Sequence, residues 1–543
     1  MARQSTPDVN VPPYGERRRQ IESEPLPRNI GALLDDAATA APDRLAWEFF
    51  ELGERITYRA LREQVKRLAR GLARAGVFKG SHVGVMLPNV PAFPLTWLAL
   101  ARLGAIMVPM NVALTPREMG YVANDAEIGF LVVDEDRLDT LSALPERPSE
   151  LVDARVFVVG TPRAGQIHWE ALLDAEGADD ACNQVECDDL MNIQYTSGTT
   201  GFPKGCLLTH RYWLTIGKVN ARRDGVLYER ILAATPFFYM DPQWLLMMSF
   251  YQRATLFVAL RQSASRFMEW VREHRIQFCL FPEIVYKQPP SPRDRENEII
   301  RVNVYGLNKQ IHLALEERFN FVVREAFGMT EVGSGLFMPI EASDMIGSGS
   351  CGIPVPFREA RIAAPDGTAV ADGETGELLL RGPGMLSGYY RKPEASSAAF
   401  HGEWFRTGDL FRQDECGYFY IVGRIKDMIR RAGENISASE VEAVLRGMPE
   451  IVEAAAVAVP DETRREEVKA FVVLRPGLSR ADVPPLRIVA HCEASLARFK
   501  VPRYIAYLER LPKTPSEKIA KHLLVGEAQA ASETYDRVEA RWR

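Results

Sequence analysis

Cysteine is scarce in this chain. Only seven cysteines occur among 543 residues, and the closest pair, Cys182 and Cys187, has no second pair at a matching spacing. Disulfide-stabilised secreted domains and zinc sites both need cysteines in regular, close groups, so the sequence disfavours both. Thinly spread thiols are typical of a reduced compartment, and we therefore expect the protein in the cytoplasm.

The chain also lacks an excess of positive charge and a long apolar run. Lys and Arg number 66 against 72 Asp and Glu, and no basic run is long enough to form a nucleic-acid-binding arm. The most apolar stretch, residues 83–108, is interrupted by Pro88, Pro91, Pro94 and Arg102. A membrane-spanning helix needs about 20 consecutive apolar residues. We therefore expect neither a nucleic-acid partner nor a membrane span.

The pattern of apolar residues predicts an arm followed by alternating strands and helices. Residues 1–27 are rich in proline and charge, lack the apolar core of a secretory signal, and are predicted to form an extended surface arm. Apolar residues at helical spacing follow within residues 61–75, and Thr115 begins a capping box. Short apolar runs at 82–87 and 128–133 are typical of strands. Strands and helices in this order predict a parallel sheet with helices on its faces.

Two changes of texture divide the rest of the chain. From about Gly347, short strands between glycines and prolines indicate a β-rich subdomain. After Ile425, an amphipathic helix and two strands are predicted within residues 439–474. We therefore predict an α/β protein with a large N-terminal domain of βα-layered sheets plus the β-rich subdomain, residues 1–425. A small α+β C-terminal domain follows, residues 426–543.

Residues 195–205, YTSGTTGFPKG, form the most informative segment. It follows a strand-like run and contains the residues that we expect to bind phosphate: Thr196, Ser197, Gly198, Thr199, Thr200 and Lys204. Backbone N–H groups and hydroxyls of such a loop can surround phosphate oxygens, and the lysine adds a point charge. The spacing does not fit the Walker A pattern. The alternative reading is a flexible surface loop.

This loop resembles the signature of the adenylate-forming enzymes, which include acyl- and aryl-CoA synthetases, peptide-synthetase adenylation domains and luciferases. Four further segments resemble motifs of the same family and occur in the family's order. They are residues 324–331 (REAFGMTE), 404–410 (WFRTGDL), 423–437 (GRIKDMIRRAGENIS) and 512–519 (PKTPSEKI). The resemblance covers nearly the whole chain and implies a large N-terminal domain with a small, mobile C-terminal domain.

The segment 324–331 combines several groups that suit a nucleotide. Glu331 offers a hard oxygen ligand for Mg²⁺ bound jointly with ATP phosphates. Thr330 can donate its hydroxyl to a phosphate, and Phe327, followed by Gly328, offers a flat face for adenine or for the acyl pocket. The resemblance implies that Thr330 and Glu331 take part in catalysis. A solvated surface carboxylate is the alternative for Glu331.

Two further motifs supply a sugar acceptor and a cation. Asp409 can accept two hydrogen bonds from ribose hydroxyls, and Arg424 is placed to support the sugar or a phosphate. Lys518 matches the family's catalytic lysine, whose charge would stabilise the developing negative charge at the α-phosphate. The family usually has glycine before this lysine, whereas this chain has Glu517. A turn-forming aspartate and an exposed surface lysine are the alternatives.

The resemblance also implies that the C-terminal domain rotates. Lys426 occupies the family's hinge position. One orientation would insert Lys518 for adenylation, and the other would present a loop on the CoA side that includes Gly433, Glu434 and Asn435.

The acyl pocket is predicted from two segments in which the chain departs from the family. Tyr239 stands where the family usually has histidine, and with Met240, Asp241 and Trp244 it is expected to line the pocket. An aromatic and anionic wall of this kind would suit a quaternary ammonium group, and the segment has some likeness to carnitine- and crotonobetaine-CoA ligases. Alternatively, Asp241 is simply an N-cap followed by proline.

The second segment is predicted to make the pocket short. Residues 304–309, which include Tyr305, Gly306, Leu307 and Asn308, stand where the family usually shows two adjacent glycines with a small residue and proline. Leu307 and Asn308 are bulkier than the residues usual there. These bulkier side chains favour a small or compact acid over a long fatty acid.

The resemblance predicts an ATP-dependent acid–CoA ligase that requires Mg²⁺. A carboxylic acid and ATP would give an acyl-adenylate and pyrophosphate, and CoA would then displace AMP. Three alternatives stay open: loading of a carrier protein in trans, a luciferase-like oxygenase, and a nucleotide- or acyl-adenylate-binding protein without turnover. A homodimer is common among relatives and is a further expectation.

Overall fold

The computed structural model describes residues 11–177, 184–196, 203–431, 434–461, 464–514, 518–525 and 533–543. Within these ranges the chain is a mixed α/β structure. The α-helices are α1 (Tyr14–Ser23), α2 (Ile30–Ala40), α3 (Tyr58–Arg74), α4 (Ala92–Leu103), α5 (Pro116–Asp125), α6 (Leu138–Ser142), α7 (His210–Arg222), α8 (Met240–Gln252), α9 (Phe267–Glu273), α10 (Glu283–Tyr286), α11 (His312–Phe319), α12 (Pro393–Ala398), α13 (Ala438–Arg446), α14 (Pro485–Ser495) and α15 (Lys521–Val525).

The β-strands form four sheets. In chain order they are β1 (Leu45–Phe49), β2 (Glu54–Thr57), β3 (His82–Met86), β4 (Ile106–Pro109), β5 (Phe130–Asp134), β6 (Val156–Val159), β7 (Ile167–His168), β8 (Leu190–Thr196), β9 (Lys204–Thr209), β10 (Arg230–Ala233), β11 (Thr255–Val258), β12 (Phe278–Leu280), β13 (Arg301–Val304), β14 (Val322–Met329), β15 (Gly333–Phe337), β16 (Ile353–Pro354), β17 (Glu359–Ala363), β18 (Thr375–Arg381), β19 (Phe400–His401), β20 (Trp404–Gln413), β21 (Phe419–Arg424), β22 (Met428–Arg431), β23 (Glu434–Ser437), β24 (Ile451–Asp461), β25 (Arg465–Leu474), β26 (Tyr504–Tyr507), β27 (Thr534–Asp536) and β28 (Arg541–Trp542).

The chain divides into two compact units. The described residues up to 196, with 203–360 and 380–405, form the first unit, and the second contains 361–379 and the described residues from 406 onward. Residues 361–379 and 406–425 of the predicted N-terminal domain pack with the second unit, and the predicted domain boundary after Ile425 stays a prediction. The division into compact units does not test whether the chain rotates about Lys426.

Two large sheets build the first unit. One has nine strands in the order β16-β15-β14-β13-β12-β10-β11-β1-β2, and its central strands are parallel. The other has seven strands in the order β7-β6-β5-β3-β4-β8-β9, parallel except for the β8–β9 pair. Helices cover these sheets, as the alternating pattern predicts, because strands buried on both faces must pack against apolar helix faces.

The local predictions for the first unit are confirmed at two helices. Leu61, Val65, Leu68 and Leu72 are all fully buried along one face of α3. Thr115 caps α5 through a complete capping box. The apolar stretch 83–108 forms β3, α4 and β4. No helix in the described parts of the chain combines the length and the apolar character needed to cross a membrane.

The prediction of an extended N-terminal arm is wrong for residues 14–23, which form α1. Tyr14 donates its hydroxyl to the carbonyl of Pro354 at 2.6 Å, and Arg17, which is buried, pairs with Glu341 at 2.9 Å. Ile21 is buried on the same helix face, one turn further. The sequence pattern does not predict this helix because its inward face consists largely of amphipathic side chains. Their polar ends form hydrogen bonds and ion pairs while their apolar stems pack against the protein.

The second unit contains a mixed sheet in the order β23-β22-β25-β26-β27-β28, with β24 paired to β25. Helix α13 and a core including Ile429, Val441 and Ile488 pack on it. The predicted helix at 439–447 is confirmed as α13, and the two predicted strands are longer, as β24 and β25. Most residues of a further sheet, β17-β18-β20-β19 with β21 on β20, also belong to this unit.

Candidate active site

The ends of the predicted phosphate loop lie side by side in the first unit. Strand β8 ends at Thr196 and β9 begins at Lys204, and these two residues are paired across the antiparallel ladder. Ser197, Gly198, Thr199 and Thr200 lie outside the described residues.

Helix α5 holds both ends of this loop. Tyr195, the residue before Thr196, donates its hydroxyl to Asp125 at 2.7 Å, and Tyr121 donates its hydroxyl to the carbonyl of Pro203 at 3.0 Å. Lys392 pairs with the other Asp125 oxygen at 2.9 Å. Burial, followed by the Asp125 carboxylate, raises the pKa of Tyr195, so its hydroxyl stays a donor. The sequence predicted the helix but not that its C-terminal residues support the loop.

Tyr389 brings two predicted site residues together. Its hydroxyl donates to Glu331 Oε1 at 3.1 Å, and the Lys204 ammonium lies 4.1 Å from the centre of its ring. Burial, followed by the Glu331 charge, raises the pKa of the Tyr389 hydroxyl, which keeps it protonated as a donor. Glu331 itself is buried, with 8% of its surface exposed. Tyr389 lies outside every motif, so sequence reasoning missed it.

Thr330 and Gly328 lie on the hairpin of β14 and β15. The Thr330 hydroxyl contacts the sulfur of Met240 at 3.8 Å, which joins the nucleotide motif to the predicted acyl-pocket segment. A Cβ on Gly328 would lie 2.6 Å from the carbonyl oxygen of Gly333, so only glycine fits this close approach. Phe327, one residue earlier, is partly exposed on the same hairpin.

The acyl-pocket segment leads into α8. The hydroxyl of Tyr239 accepts a hydrogen bond from Asn111 Nδ2 at 3.2 Å, and Asp241 Oδ1 accepts one from the Trp244 indole at 3.1 Å. The reading of Asp241 as the N-cap is wrong, because α8 begins at Met240 and Tyr239 occupies the capping position. Only 1% of Trp244 is exposed, so the hydrogen bond to Asp241 comes from a buried side chain.

A network of buried amides fixes the backbone before α8. Gln194 donates to the carbonyl of Phe238 at 2.9 Å, and Gln243 donates to that of Phe237 at 2.8 Å. Asn192 Nδ2 in turn donates to Gln243 Oε1 at 3.1 Å. Asn192 and Gln194 belong to β8, so the strand that enters the phosphate loop also positions the acyl-pocket segment.

The loop 305–307 lies close to the same segment. Tyr305 is 46% exposed, Leu307 is 9% exposed, and Gly306 has a φ of +70° that favours glycine. Burial of its hydroxyl, followed by the nearby Asp241 carboxylate, raises the pKa of Tyr305. The two predicted acyl-pocket segments are therefore neighbours in the first unit.

Asp409 and Arg424 pair within the second unit. They face each other across β20 and β21, and Arg424 Nε donates to Asp409 Oδ1 at 2.8 Å. Asp409 is 1% exposed, and among the described residues its Oδ2 has no hydrogen-bond partner. Burial raises the pKa of Asp409, and Arg424 and then Lys518 counteract it. A buried carboxylate oxygen without a partner needs a donor, which a ribose hydroxyl can supply.

Glu377 supports the Asp409 loop and was missed by sequence reasoning. It accepts two hydrogen bonds from Arg406, at 2.9 and 2.7 Å, and one from the backbone N–H of Gly408 at 3.1 Å. Gly408 has a φ of +71°, which favours glycine. The residue before Asp409 is thus fixed by a buried carboxylate.

Lys518 lies on an exposed turn of the second unit. The N–H of Thr514 donates to the Lys518 carbonyl at 2.7 Å, which closes the turn, while Glu517 lies outside the described residues. The Lys518 charge lowers the pKa of Asp409, the predicted ribose acceptor in the same unit.

The predicted hinge and CoA-side loop are adjacent in the second unit. Lys426 lies in the 3₁₀ turn Ile425–Asp427 between β21 and β22. Gly433 lies outside the described residues, and Glu434 and Asn435 begin β23, although their side chains are not described.

Only part of a magnesium shell comes from the described residues. These contain no group of three or more His, Cys, Asp or Glu that could hold a metal ion. Mg²⁺ commonly binds through one or two carboxylates together with substrate phosphates and water. The buried Glu331 carboxylate near Lys204 fits that mode.

Comparison with known proteins identifies the family of the chain. The family model described as AMP-binding enzyme matches residues 34–390, and the AMP-binding enzyme C-terminal domain matches residues 440–518. The chain is 33% identical to a feruloyl-CoA synthase from an Amycolatopsis species over 481 residues, 86% of this chain and 93% of the relative. It is 32% identical to a crotonobetaine/carnitine–CoA ligase from Salmonella paratyphi C over 520 residues, 91% and 98%.

A solved structure has the same architecture. The o-succinylbenzoate coenzyme A synthetase of Bacillus subtilis, in complex with ATP and magnesium, superposes with a TM-score of 0.77 at 25% identity, covering 91% of this chain and 98% of that chain. The chain belongs to the AMP-binding enzyme family. It is an AMP-forming acyl-CoA synthetase, a ligase with ATP and CoA as co-substrates.

Proposed function

We propose that this ligase activates a compact carboxylic acid as its adenylate and transfers the acyl group to CoA. The observation that carries the proposal is the arrangement around Asp409. A buried carboxylate oxygen without a partner among the described residues lies near the ammonium of Lys518, with Arg424 on the other oxygen. A ribose acceptor and a mobile cation in one unit suit an enzyme that holds a nucleotide and acts on its α-phosphate.

The chemistry proceeds in two displacements. A carboxylate oxygen of the acid attacks the α-phosphorus of ATP, and the bond from that phosphorus to the β-phosphate oxygen breaks to release pyrophosphate. The sulfur of CoA then attacks the acyl carbon, the bond to the AMP oxygen breaks, and the thiol proton passes to solvent. The adenylate is needed because oxide is a poor leaving group, whereas AMP departs readily.

We assign the charge stabilisation of the first step to several of the predicted site residues. Lys518 would stabilise the negative charge that develops at the α-phosphate, more strongly in the transition state than in the ground state. Lys204 and Thr196, with the loop between them, would bind the phosphates, and Thr330 would donate a further hydrogen bond. Bound Mg²⁺, held by Glu331, would neutralise phosphate charge, and Tyr389 would orient that carboxylate.

We assign the second step to a different face of the C-terminal domain. Rotation about Lys426 would withdraw Lys518 and present the segment from Gly433 to Asn435 to CoA. The position of Lys426 in a short turn between two strands supports this role, because a hinge must change its backbone angles without disturbing a core.

A compact acid fits the loop 305–307. Leu307 is nearly buried where the family has a small residue, and Tyr239, Asp241 and Tyr305 form an aromatic and anionic neighbourhood. A betaine-type acid is one candidate, because a quaternary ammonium group is attracted to such a wall. The relative named for crotonobetaine and carnitine supports this candidate, and the relative named for feruloyl-CoA supports an aromatic acid.

Lys518→Ala tests the proposed division of labour. We expect ATP–pyrophosphate exchange to fall by at least about 100-fold, while thioester formation from supplied acyl-adenylate largely survives. Lys513→Ala is the matched control, since Lys513 lies on the same segment but pairs with Glu453 at 2.7 Å. An equal loss of both half-reactions in Lys518→Ala would contradict the assignment.

The acid and the acceptor are tested by one screen. Pyrophosphate release and hydroxamate formation with hydroxylamine are measured for short aliphatic, aromatic, betaine and long-chain acids, with and without CoA. A compact acid should give the highest kcat/KM, and CoA should give the thioester. The proposal is wrong if palmitate exceeds every short acid, and thioester formation only on a carrier-protein pantetheine would favour the carrier-loading alternative.

We also propose the cytoplasm as the site of action and a homodimer as the assembly. The cytoplasmic proposal rests on thin cysteine usage; all six cysteines within the described residues are free thiols. The homodimer rests on the family resemblance alone. Sedimentation of the purified protein measures its mass against the 60.9 kDa of one chain.

A further inference from the structure

A buried carboxylate of the first unit has no role in the chemistry described above. Glu325 lies on β14, six residues before Glu331, and is 6% exposed. Its Oε1 accepts the backbone N–H of Gly306 at 3.0 Å, and its Oε2 accepts that of Leu307 at 3.1 Å. Both oxygens therefore hold consecutive N–H groups of the loop that we assign to the acid pocket.

Glu325 has no cationic partner among the described residues. Lys309 and His312 line the same cavity as Glu325, but neither of them forms an ion pair with it. The His312 Nδ1 accepts the N–H of Gly347 at 3.1 Å, so its other nitrogen carries the ring proton. Burial raises the pKa of Glu325 to about 8; the two N–H groups oppose the rise, and Glu283 adds to it.

The loop needs such a support because its sequence is unusual. Gly306 lacks a Cβ, which leaves many backbone conformations accessible to the unfolded loop, and Asn308 does not restrict its own φ as a proline would. The side chain of Leu307 closes the pocket only if its backbone is fixed. Two hydrogen bonds to one carboxylate fix two successive peptide groups at once.

We propose that Glu325, in its ionised form, is a positioning residue that fixes the backbone at Gly306 and Leu307 and thereby sets the affinity for the acid. The inference rests on the proposed function of that loop. An ionised carboxylate accepts both N–H groups, whereas a protonated one turns an O–H toward one of them. The Michaelis constant of the wild-type enzyme for its acid should therefore fall as the pH rises through about 8.

The closing experiment measures ATP–pyrophosphate exchange between about pH 6.5 and 9.5, a range that brackets the expected titration. Glu325→Gln keeps one acceptor but turns an amide N–H toward the other N–H group. We expect its KM for the acid to rise about 10-fold at high pH and to lose the dependence seen in wild type. The KM for ATP should stay within about twofold, because this loss concerns the acid wall.

Two further variants separate positioning from folding. Leu307→Ala removes the side chain that Glu325 is proposed to position. Glu325→Gln should therefore raise the KM for the acid much less in the Leu307→Ala background than in the wild-type enzyme. Glu341→Gln, which alters a carboxylate paired with Arg17 elsewhere in the same unit, should leave the pH profile unchanged. Glu325→Asp keeps the charge but shortens the reach, and should show a raised KM that still titrates.

The possible outcomes are distinguishable. If wild type exchanges pyrophosphate with no acid, the proposed function fails. If it turns over an acid whose KM shows no change between about pH 7 and 9, the inference on Glu325 is wrong even if every variant misfolds. It is also wrong if Glu325→Gln folds and keeps the wild-type KM and pH profile.

Discussion

Asp409 and Glu325 are both buried carboxylates, but the protein holds them in opposite ways. Asp409, in the second unit, receives a guanidinium on one oxygen, and its other oxygen has no partner among the described residues. Glu325, in the first unit, receives a backbone N–H on each oxygen and no cation within the described residues. The difference indicates their tasks, because an oxygen left without a donor suits a ligand, whereas a carboxylate with both oxygens engaged suits support of the chain.

The largest effect is expected when the ligand-directed carboxylate is changed. Asp409→Asn removes the charge that pairs with Arg424 and should weaken the hydrogen bonds that we propose to ribose, each worth about 1.5–3 kcal/mol when charge-assisted. We expect kcat/KM for ATP to fall by about 100-fold or more, and calorimetry should show the loss in ATP binding itself. Asp366→Asn, in an exposed turn of the same unit, is the control. Unchanged ATP binding would mean that the open oxygen has another use.

The support carboxylate should instead govern how stability depends on pH. The folded pKa of Glu325 is raised from 4.5 to about 8, so its contribution to stability is full below the unfolded value and is lost as the pH rises toward 8. Between about pH 5 and 8 the free energy of unfolding should fall by about 2 kcal/mol through this group. Proton linkage allows at most about 1.4 kcal/mol per pH unit, and we take a smaller value because the site can relax when Glu325 ionises.

Chemical denaturation of wild type and Glu325→Gln at several pH values checks this prediction. Both proteins lose stability for other reasons as the pH changes, so the informative quantity is the difference between them. That difference should shift steadily between pH 5 and 8, and a flat difference would show that Glu325 keeps an ordinary pKa.

A smaller effect is expected at Tyr389. Tyr389→Phe removes the hydrogen bond to Glu331 but keeps the ring beneath the Lys204 ammonium. One such bond is worth about 1.5 kcal/mol, so kcat should fall by about 10-fold, with a higher Mg²⁺ concentration needed for half-maximal rate. Tyr420→Phe, which removes a hydroxyl bonded to Asp414 in the second unit, should change neither quantity. An unchanged dependence on Mg²⁺ concentration in Tyr389→Phe would contradict the proposal that Tyr389 orients the carboxylate that holds Mg²⁺.

The sequence predicted the local structure better than the contacts between distant segments. The capping box at Thr115 and the apolar face of α3 follow from spacing along one helix, and both are confirmed. Asp409 and Arg424 belong to two motifs of the family, and the two residues pair because they face each other on neighbouring strands. Tyr389 could not be found in this way, since it lies 58 residues from Glu331 and its role depends on how the chain packs.

Two errors have the same physical origin. The N-terminal segment looked unstructured because α1 is charged, yet Arg17 is buried where its guanidinium finds Glu341 and two backbone carbonyls. Asp241 looked like an N-cap because aspartate and proline favour helix starts, yet its carboxylate accepts a hydrogen bond from the indole of Trp244. In both cases a partner that no local pattern reveals decides the role of a polar side chain.

The docking of α1 has a consequence for the order in which the protein matures during its synthesis. The partners of this helix lie 206 residues further along the chain at Arg223, 324 residues further at Glu341 and 340 residues further at Pro354. At about 5–20 residues per second, the ribosome takes on the order of tens of seconds to complete them. Helix α1 thus leaves the ribosome well before its partners and docks only after they have been made, and its partly polar inward face keeps it soluble until then.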